Sequence, residues 1–248
     1  MCSEGNIEEL RKALARGTNP NKKLDTDGST ALHAAAVQGH LEVVALLLEQ
    51  PGIDKNQAAN DGSTAFHLAA ACGHQQVVDL LLEQPGINVN LTNGDDGATA
   101  LHAAAYNGHL EVVGRLLEQP GVDLTLVNNH GWTALHFAAA QNHQEVVALL
   151  LQQPQVDLNA AVRNQEGYTA LHLAASQGHQ DILTHLLANP KTDTNVEDQD
   201  GDTPIMLLLK INFNIDIQGN CLQALVDCNK VDLDVKDPDG DGLEDLAR

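Results

Sequence analysis

Residues 28–35 read GSTALHAA, and the same frame returns as GSTAFHLA from Gly62, GATALHAA from Gly97, GWTALHFA from Gly131 and GYTALHLA from Gly167. A sixth copy, GDTPIMLL from Gly201, keeps the glycine and the threonine and places Met206 where the others have histidine. The leading glycines are 34, 35, 34, 36 and 34 residues apart. A period that regular marks a stacked array, in which each unit is one supersecondary motif too small to cover its own apolar face.

Residues 28–61 show how one unit is written. Thr30 follows a Gly-Ser turn and offers a side-chain oxygen to cap a helix expected over Ala31 to Gln38. Ala34, Ala35 and Ala36 give that short helix high propensity and little bulk, so a neighbouring helix can approach closely. Gly39 permits the left-handed conformation that stops it, and His40 opens the return. A second helix is expected over Leu41 to Gln50, with Val43, Val44, Leu47 and Leu48 on one stripe and Glu42, Glu49 and Gln50 toward water. Pro51 and Gly52 end it, and Ile53 is positioned to anchor the loop that follows.

These TALH turns and LLLEQPGI-type second helices resemble the ankyrin repeat family, whose period is about 33 residues, over nearly the whole chain. The resemblance implies an all-α solenoid of stacked helix-turn-helix units with projecting turns and a concave side that binds another protein. The organisation expected is a single ankyrin-repeat domain over 1–248. It begins with a half-repeat cap at 1–27 and continues with full repeats at 28–61, 62–96, 97–130, 131–166 and 167–200. A divergent repeat with an inter-helix insertion around INFNIDIQG follows at 201–239, and 240–248 reads as the start of a seventh repeat or a cap, or as the mark of excision from a longer chain. Aligning CLQALVDC from Cys221 with VVALLLEQ from Val43 places that insertion ahead of the last second helix. Most units are one residue longer than the family's usual length, the excess falling at Pro-Gly. The stretch TNGDDG lengthens the tip before Gly97, so Asn93 to Asp96 are expected to protrude, and LNAAVRNQEG alters the turn before Tyr168.

Composition narrows the partners. With 34 acidic and 13 basic residues the formal net charge is -21, which repels phosphate backbones and disfavours nucleic acid and anionic membrane. Residues 1–27 balance five acids with five bases, 28–190 carry fifteen to three, and 191–248 carry fourteen to five. A protein partner with a neutral or basic surface is expected, bound by a monomer. No apolar run reaches about 18 residues, and the N-terminus lacks the charged-then-apolar pattern of a signal peptide. Cys2, Cys72, Cys221 and Cys228 follow no paired spacing, which suits a reducing compartment. The expected location is the cytoplasm, or a host cytoplasm if the chain is a secreted effector.

The residues capable of chemistry fall into the repeat grammar. Ten of the twelve histidines occupy two positions: His33, His67, His102, His136 and His172 in the TALH turns, and His40, His74, His109, His143 and His179 at second-helix starts. The family resemblance implies that the first set hydrogen-bonds the turn threonine and neighbouring backbone. No catalytic residue, cofactor or resident metal is expected, since no nucleophile-base pair, zincin motif or phosphate loop stands outside this pattern. Asp237, Asp239, Asp241 and Gly242 spell the opening of a calcium loop, but its twelfth position is Arg248 where a bidentate glutamate is required. The related DQDGD at Asp198 to Asp202 shares its register with an ordinary repeat turn.

The aromatic residues carry the sharper expectation. Phe66 and Phe137 occupy apolar motif positions where burial is expected. Trp132 and Tyr168 follow the turn glycine, at a place held elsewhere by Ser29, Ser63, Ala98 and Asp202, and Tyr106 ends a first helix. The resemblance implies that both places line the concave face. A partner-binding patch is therefore expected from Tyr106, Trp132 and Tyr168 with Asn107, His130, Gln141, Gln165, Glu166 and Gln177, because such aromatics dominate binding energetics. The leading expectation is a non-catalytic protein-interaction scaffold. The alternatives are the targeting arm of a larger enzyme or of a bacterial effector acting in a host cell, and a calcium-modulated binding module.

Overall fold

A computed structural model describes residues 4–162, 167–210, 215–228, 230–232 and 234. Thirteen α-helices stand among the described residues, and the chain divides into two compact units, Met1–Asp123 and Leu124–Arg248.

In the first unit a lone helix, α1 (Glu4–Ala15), precedes three pairs: α2 (Ala31–Val37) with α3 (Leu41–Leu48), α4 (Ala65–Ala71) with α5 (Gln75–Leu82), and α6 (Ala100–Tyr106) with α7 (Leu110–Leu117). The first helices stack α2 on α4 on α6, the second helices α3 on α5 on α7, and α1 packs against α3. The second unit repeats the plan with α8 (Ala134–Ala140) and α9 (Gln144–Leu151), α10 (Ala170–Gln177) and α11 (Gln180–Ala188), and α12 (Pro204–Lys210) and α13 (Ile215–Asp227). Here α10 lies between α8 and α12, and α11 between α9 and α13.

The core is a column of one residue per repeat. Leu47, Leu81 and Leu116 in the first unit and Leu150, Leu186 and Leu225 in the second are almost wholly buried. Alanine pairs such as Ala69–Ala70 and Ala104–Ala105 close the space behind them without side-chain bulk. Full burial of one leucine is worth about 1.5–3 kcal/mol, and none of it is realised by a helix pair alone. Two details depart from expectation. The stripe of α3 buries Val44, Leu46, Leu47 and Leu48 and leaves Val43 half exposed. The helix α13 starts at Ile215, four residues ahead of Gly219, which aligns with Leu41, so the inserted segment lengthens the second helix at its N-terminal end. Residues 211–214 of that insertion lie outside the described residues.

The first helices are started by a reciprocal cap. The Thr64 hydroxyl accepts the His67 amide at 3.4 Å, and the Thr64 amide donates to His67 Nδ1 at 3.2 Å. Thr99, Thr133 and Thr169 repeat this with His102, His136 and His172. Such a box satisfies two orphan donors of a seven-residue helix that has few bonds of its own.

The lengthened tip before Gly97 does not stand free. The amides of Gly94 and Asp95 both donate to Asp61 O, at 2.8 and 3.2 Å, as Asn60 N does to Asp27 O in the preceding tip. Gly94 and Asp95 are exposed on the lengthened tip.

Candidate functional site

Because Nδ1 of each TALH histidine accepts the threonine amide, the ring is the tautomer with hydrogen on Nε2, and in His33, His67, His136 and His172 that hydrogen is donated to a backbone carbonyl 24 or 30 residues further along the chain. His33 reaches Ser63 O at 3.1 Å, His67 Leu91 O at 2.7 Å, His136 Ala160 O at 2.8 Å and His172 Asp202 O at 3.1 Å. Burial lowers the pKa of His33, His67 and His172, outweighing the backbone carbonyls that favour the proton. The second histidine set also links repeats. His74 Nε2 meets Val37 O at 2.8 Å, His109 Nε2 meets Ala71 O at 2.9 Å, and His179 Nδ1 meets Ala139 O at 3.0 Å. These rings satisfy carbonyls at or beside first-helix ends that would otherwise lack partners.

The carboxylates of DQDGD are likewise engaged. Asp198 Oδ1 accepts the amides of Asp200 and Asp202 at 2.9 Å each, and Asp202 Oδ1 accepts Lys210 Nζ at 2.6 Å. No group of three or more metal-ligating side chains occurs among the described residues. Asp237, Asp239 and Asp241 lie outside them.

Each aromatic anchor leans on its own repeat. In the second unit, Trp132 is half buried, with its ring centroid 5.0 Å from Phe137 and 6.2 Å from His136. Tyr168 is also half buried and lies nearly parallel to the His172 imidazole, 5.7 Å away at 7°. Both are therefore held in place on one side and open on the other. His130 is exposed on the tip before Trp132, Gln141 caps the end of α8, and Gln177 is exposed at the end of α10. Gln165 and Glu166 lie outside the described residues. In the first unit, Tyr106 is 48% exposed at the end of α6, and the side chain of Asn107 donates to Ala103 O at 2.9 Å.

Sequence reasoning placed Phe66 and Phe137 together in the interior. Phe66 is buried, but Phe137 is half exposed and forms the platform for Trp132. The repeat position itself does not decide this, since the aligned Ala34 is exposed and the aligned Leu173 is buried.

A second feature escaped the reading altogether. Asn21 donates through Nδ2 to Gly52 O at 2.8 Å and accepts the Asp54 amide on Oδ1 at 2.9 Å. Asn56 does the same to Gly86 O and the Asn88 amide, and Asn90 to Gly121 O and the Asp123 amide. In the second unit, Asn159 and Asn195 repeat the pattern on Lys191 O with Asp193, and on Lys230 O with Asp232. The recurrence of asparagine at near-repeat spacing was visible, but only the partners show that its amide bridges two loops.

The ankyrin repeats family model, built of three copies, matches residues 1–93, 88–162, 120–198 and 158–239. No match is found among curated proteins. Among solved structures, the ankyrin repeat domain of Bcl-3, described as a unique member of the IkappaB protein family, is 28% identical with a TM-score of 0.78. That alignment covers 90% of this chain and 95% of the other. The human ASB11 ankyrin repeat domain is 26% identical with a TM-score of 0.72, over 89% and 92% of the two chains. Capped first helices, returning second helices and tips bonded repeat to repeat are thus matched by family and by fold, and the chain belongs to the ankyrin repeat family.

Proposed function

We propose that this chain is a non-catalytic scaffold that binds a protein partner through its tips and first-helix ends. Ankyrin repeats generally serve as protein-protein interaction modules, and no helix described here is long and apolar enough to cross a membrane. The observation that carries the reading is the state of Trp132 and Tyr168: each is braced by Phe137 or His172 and still half open to solvent. A braced aromatic loses little side-chain entropy on binding, so most of its contact area counts toward affinity. His130, Gln141 and Gln177 supply adaptable polar contacts around them, and Tyr106 with Asn107 offers a contact within the first unit. With a net charge of -21 the chain favours a neutral or basic partner surface, bound by a monomer.

The wild-type chain and a Trp132→Ala/Tyr168→Ala variant, immobilised side by side, provide the test. A protein captured by the wild type is then titrated against both by calorimetry. The variant is expected to bind at least about 30-fold more weakly, corresponding to about 2 kcal/mol. Equal affinity with unchanged helical circular dichroism would remove these residues from the interface.

A further inference from the structure

The ends of the first helices in the first unit form an uncharged floor. The helices α2, α4 and α6 contain no charged residue, and Ala34, Leu68 and Ala103 recur at one place on them, none of them buried. One turn on, Val37, Ala71 and Tyr106 form a second row. Val37 and Tyr106 are two of the four large hydrophobic side chains exposed among the described residues. Residues three apart on a helix are separated by about 4.5 Å along its axis. The floor is therefore about as wide as one extended chain and too narrow for a helix about 10–12 Å across.

The three tips beside this floor each carry an aspartate in the same register. Asp27, Asp61 and Asp96 each precede the turn glycine. Asp61 Oδ1 accepts the Ser63 amide at 2.8 Å, Asp96 Oδ1 the Ala98 amide at 3.2 Å and Asp27 Oδ1 the Thr26 hydroxyl at 3.3 Å. None of the three enters an ion pair among the described residues. Neighbouring tips are joined directly, Asn60 N donating to Asp27 O and Gly94 N to Asp61 O, both at 2.8 Å. Stacked helices lie about 8–10 Å apart, so aspartates placed once per helix are expected to recur at about that interval.

That spacing selects the conformation of a ligand. A β-strand returns a side chain to the same face every two residues, or about 6.7 Å, which is too short. A polyproline II segment returns one every three residues at 3.1 Å each, or about 9.3 Å, and needs no backbone partner for its own stability. We propose that the floor of α2, α4 and α6 binds a polyproline II segment of another protein, with a basic side chain every third residue facing Asp27, Asp61 and Asp96 and apolar side chains on Val37, Leu68 and Tyr106. This deepens the scaffold reading and rests on it. The segment crosses the helix ends, its ordering cost is low because the conformation is preformed, and its charges are matched by the rim.

The test uses the full chain and two dodecapeptides of one composition, (Arg-Leu-Pro) repeated four times and a shuffled isomer with its arginines adjacent. The repeating peptide is expected to bind at least tenfold more tightly at 150 mM salt. The double variant Asp61→Asn/Asp96→Asn, which keeps an oxygen to accept the Ser63 and Ala98 amides, is expected to reduce that preference to below twofold. Tyr106→Ala is expected to weaken the repeating peptide at least fivefold. Equal binding of the two peptides, or a preference that survives the aspartate variant, overturns the proposal. If that happens while capture through Trp132 and Tyr168 persists, the scaffold reading stands without it.

Discussion

At the scale of single residues, the turn glycines divide into those that need only a backbone conformation and those that also need empty space. Gly52 has φ +79° and nothing within 4 Å of where a Cβ would stand. Gly62 has the same φ, but a Cβ there would fall 2.0 Å from Gly94 N and 2.7 Å from Gly94 Cα, because the next tip folds back onto it. Gly52→Ala is expected to cost about 1–2 kcal/mol of left-handed strain. Gly62→Ala adds a backbone collision and is expected to cost about 3 kcal/mol or more. Urea unfolding of the two variants checks this; equal midpoints would mean that the tip at Asn93 to Asp96 is not packed as described.

At the scale of elements, the loops after the second helices are held by side-chain amides rather than by a β-ladder. Each asparagine of the series gives one donor and one acceptor to the next loop, and each bond contributes about 0.5–1.5 kcal/mol net. Asn56→Ala is therefore expected to destabilise the first unit by about 1–2 kcal/mol. The repeat at 97–130 departs from the pattern, with Thr125 where Asn21, Asn56, Asn90, Asn159 and Asn195 stand. A hydroxyl offers a single atom where the amide offers two set apart. Thr125→Asn is expected to raise the thermal midpoint, and a lowered midpoint would show that the loop at Thr125 is built differently. The two histidine series belong to this scale as well. The second-helix starts read from sequence as mere openings, yet the Cβ that Gly39 lacks would lie 2.6 Å from His74 Nδ1, so glycine and histidine are chosen together across a repeat boundary.

At the scale of the whole molecule, the repeated neutral histidine gives stability a pH dependence of definite sign. His33, His67 and His172 have pKa values lowered by burial, so below about pH 6.5 the unfolded chain binds more protons than the folded one. Their contribution is complete above that pH and is lost as pH falls through it toward the lowered values. The slope approaches about 1.4 kcal/mol per pH unit for each such group. Urea midpoints should hold between pH 8 and 7 and drop between pH 6.5 and 5.5, above the range where carboxylates titrate. A flat profile over the lower interval would contradict the neutral, Nε2-donating rings.

The sequence by itself determined the helix pairs, their number over the described repeats and their family, because capping by Thr64, termination at Gly73 and the apolar stripe around Leu81 all act within a few residues of chain. It also marked Trp132 and Tyr168 as departures from the repeat. Only the tertiary structure decided that both are braced and half open, that Phe137 is a platform, that the long tip folds back and that asparagine amides bridge the loops. The reason is that these contacts depend on how one repeat sits on the next. Links such as His33 to Ser63 and His179 to Ala139 join residues 30 and 40 positions apart, beyond the reach of local propensity.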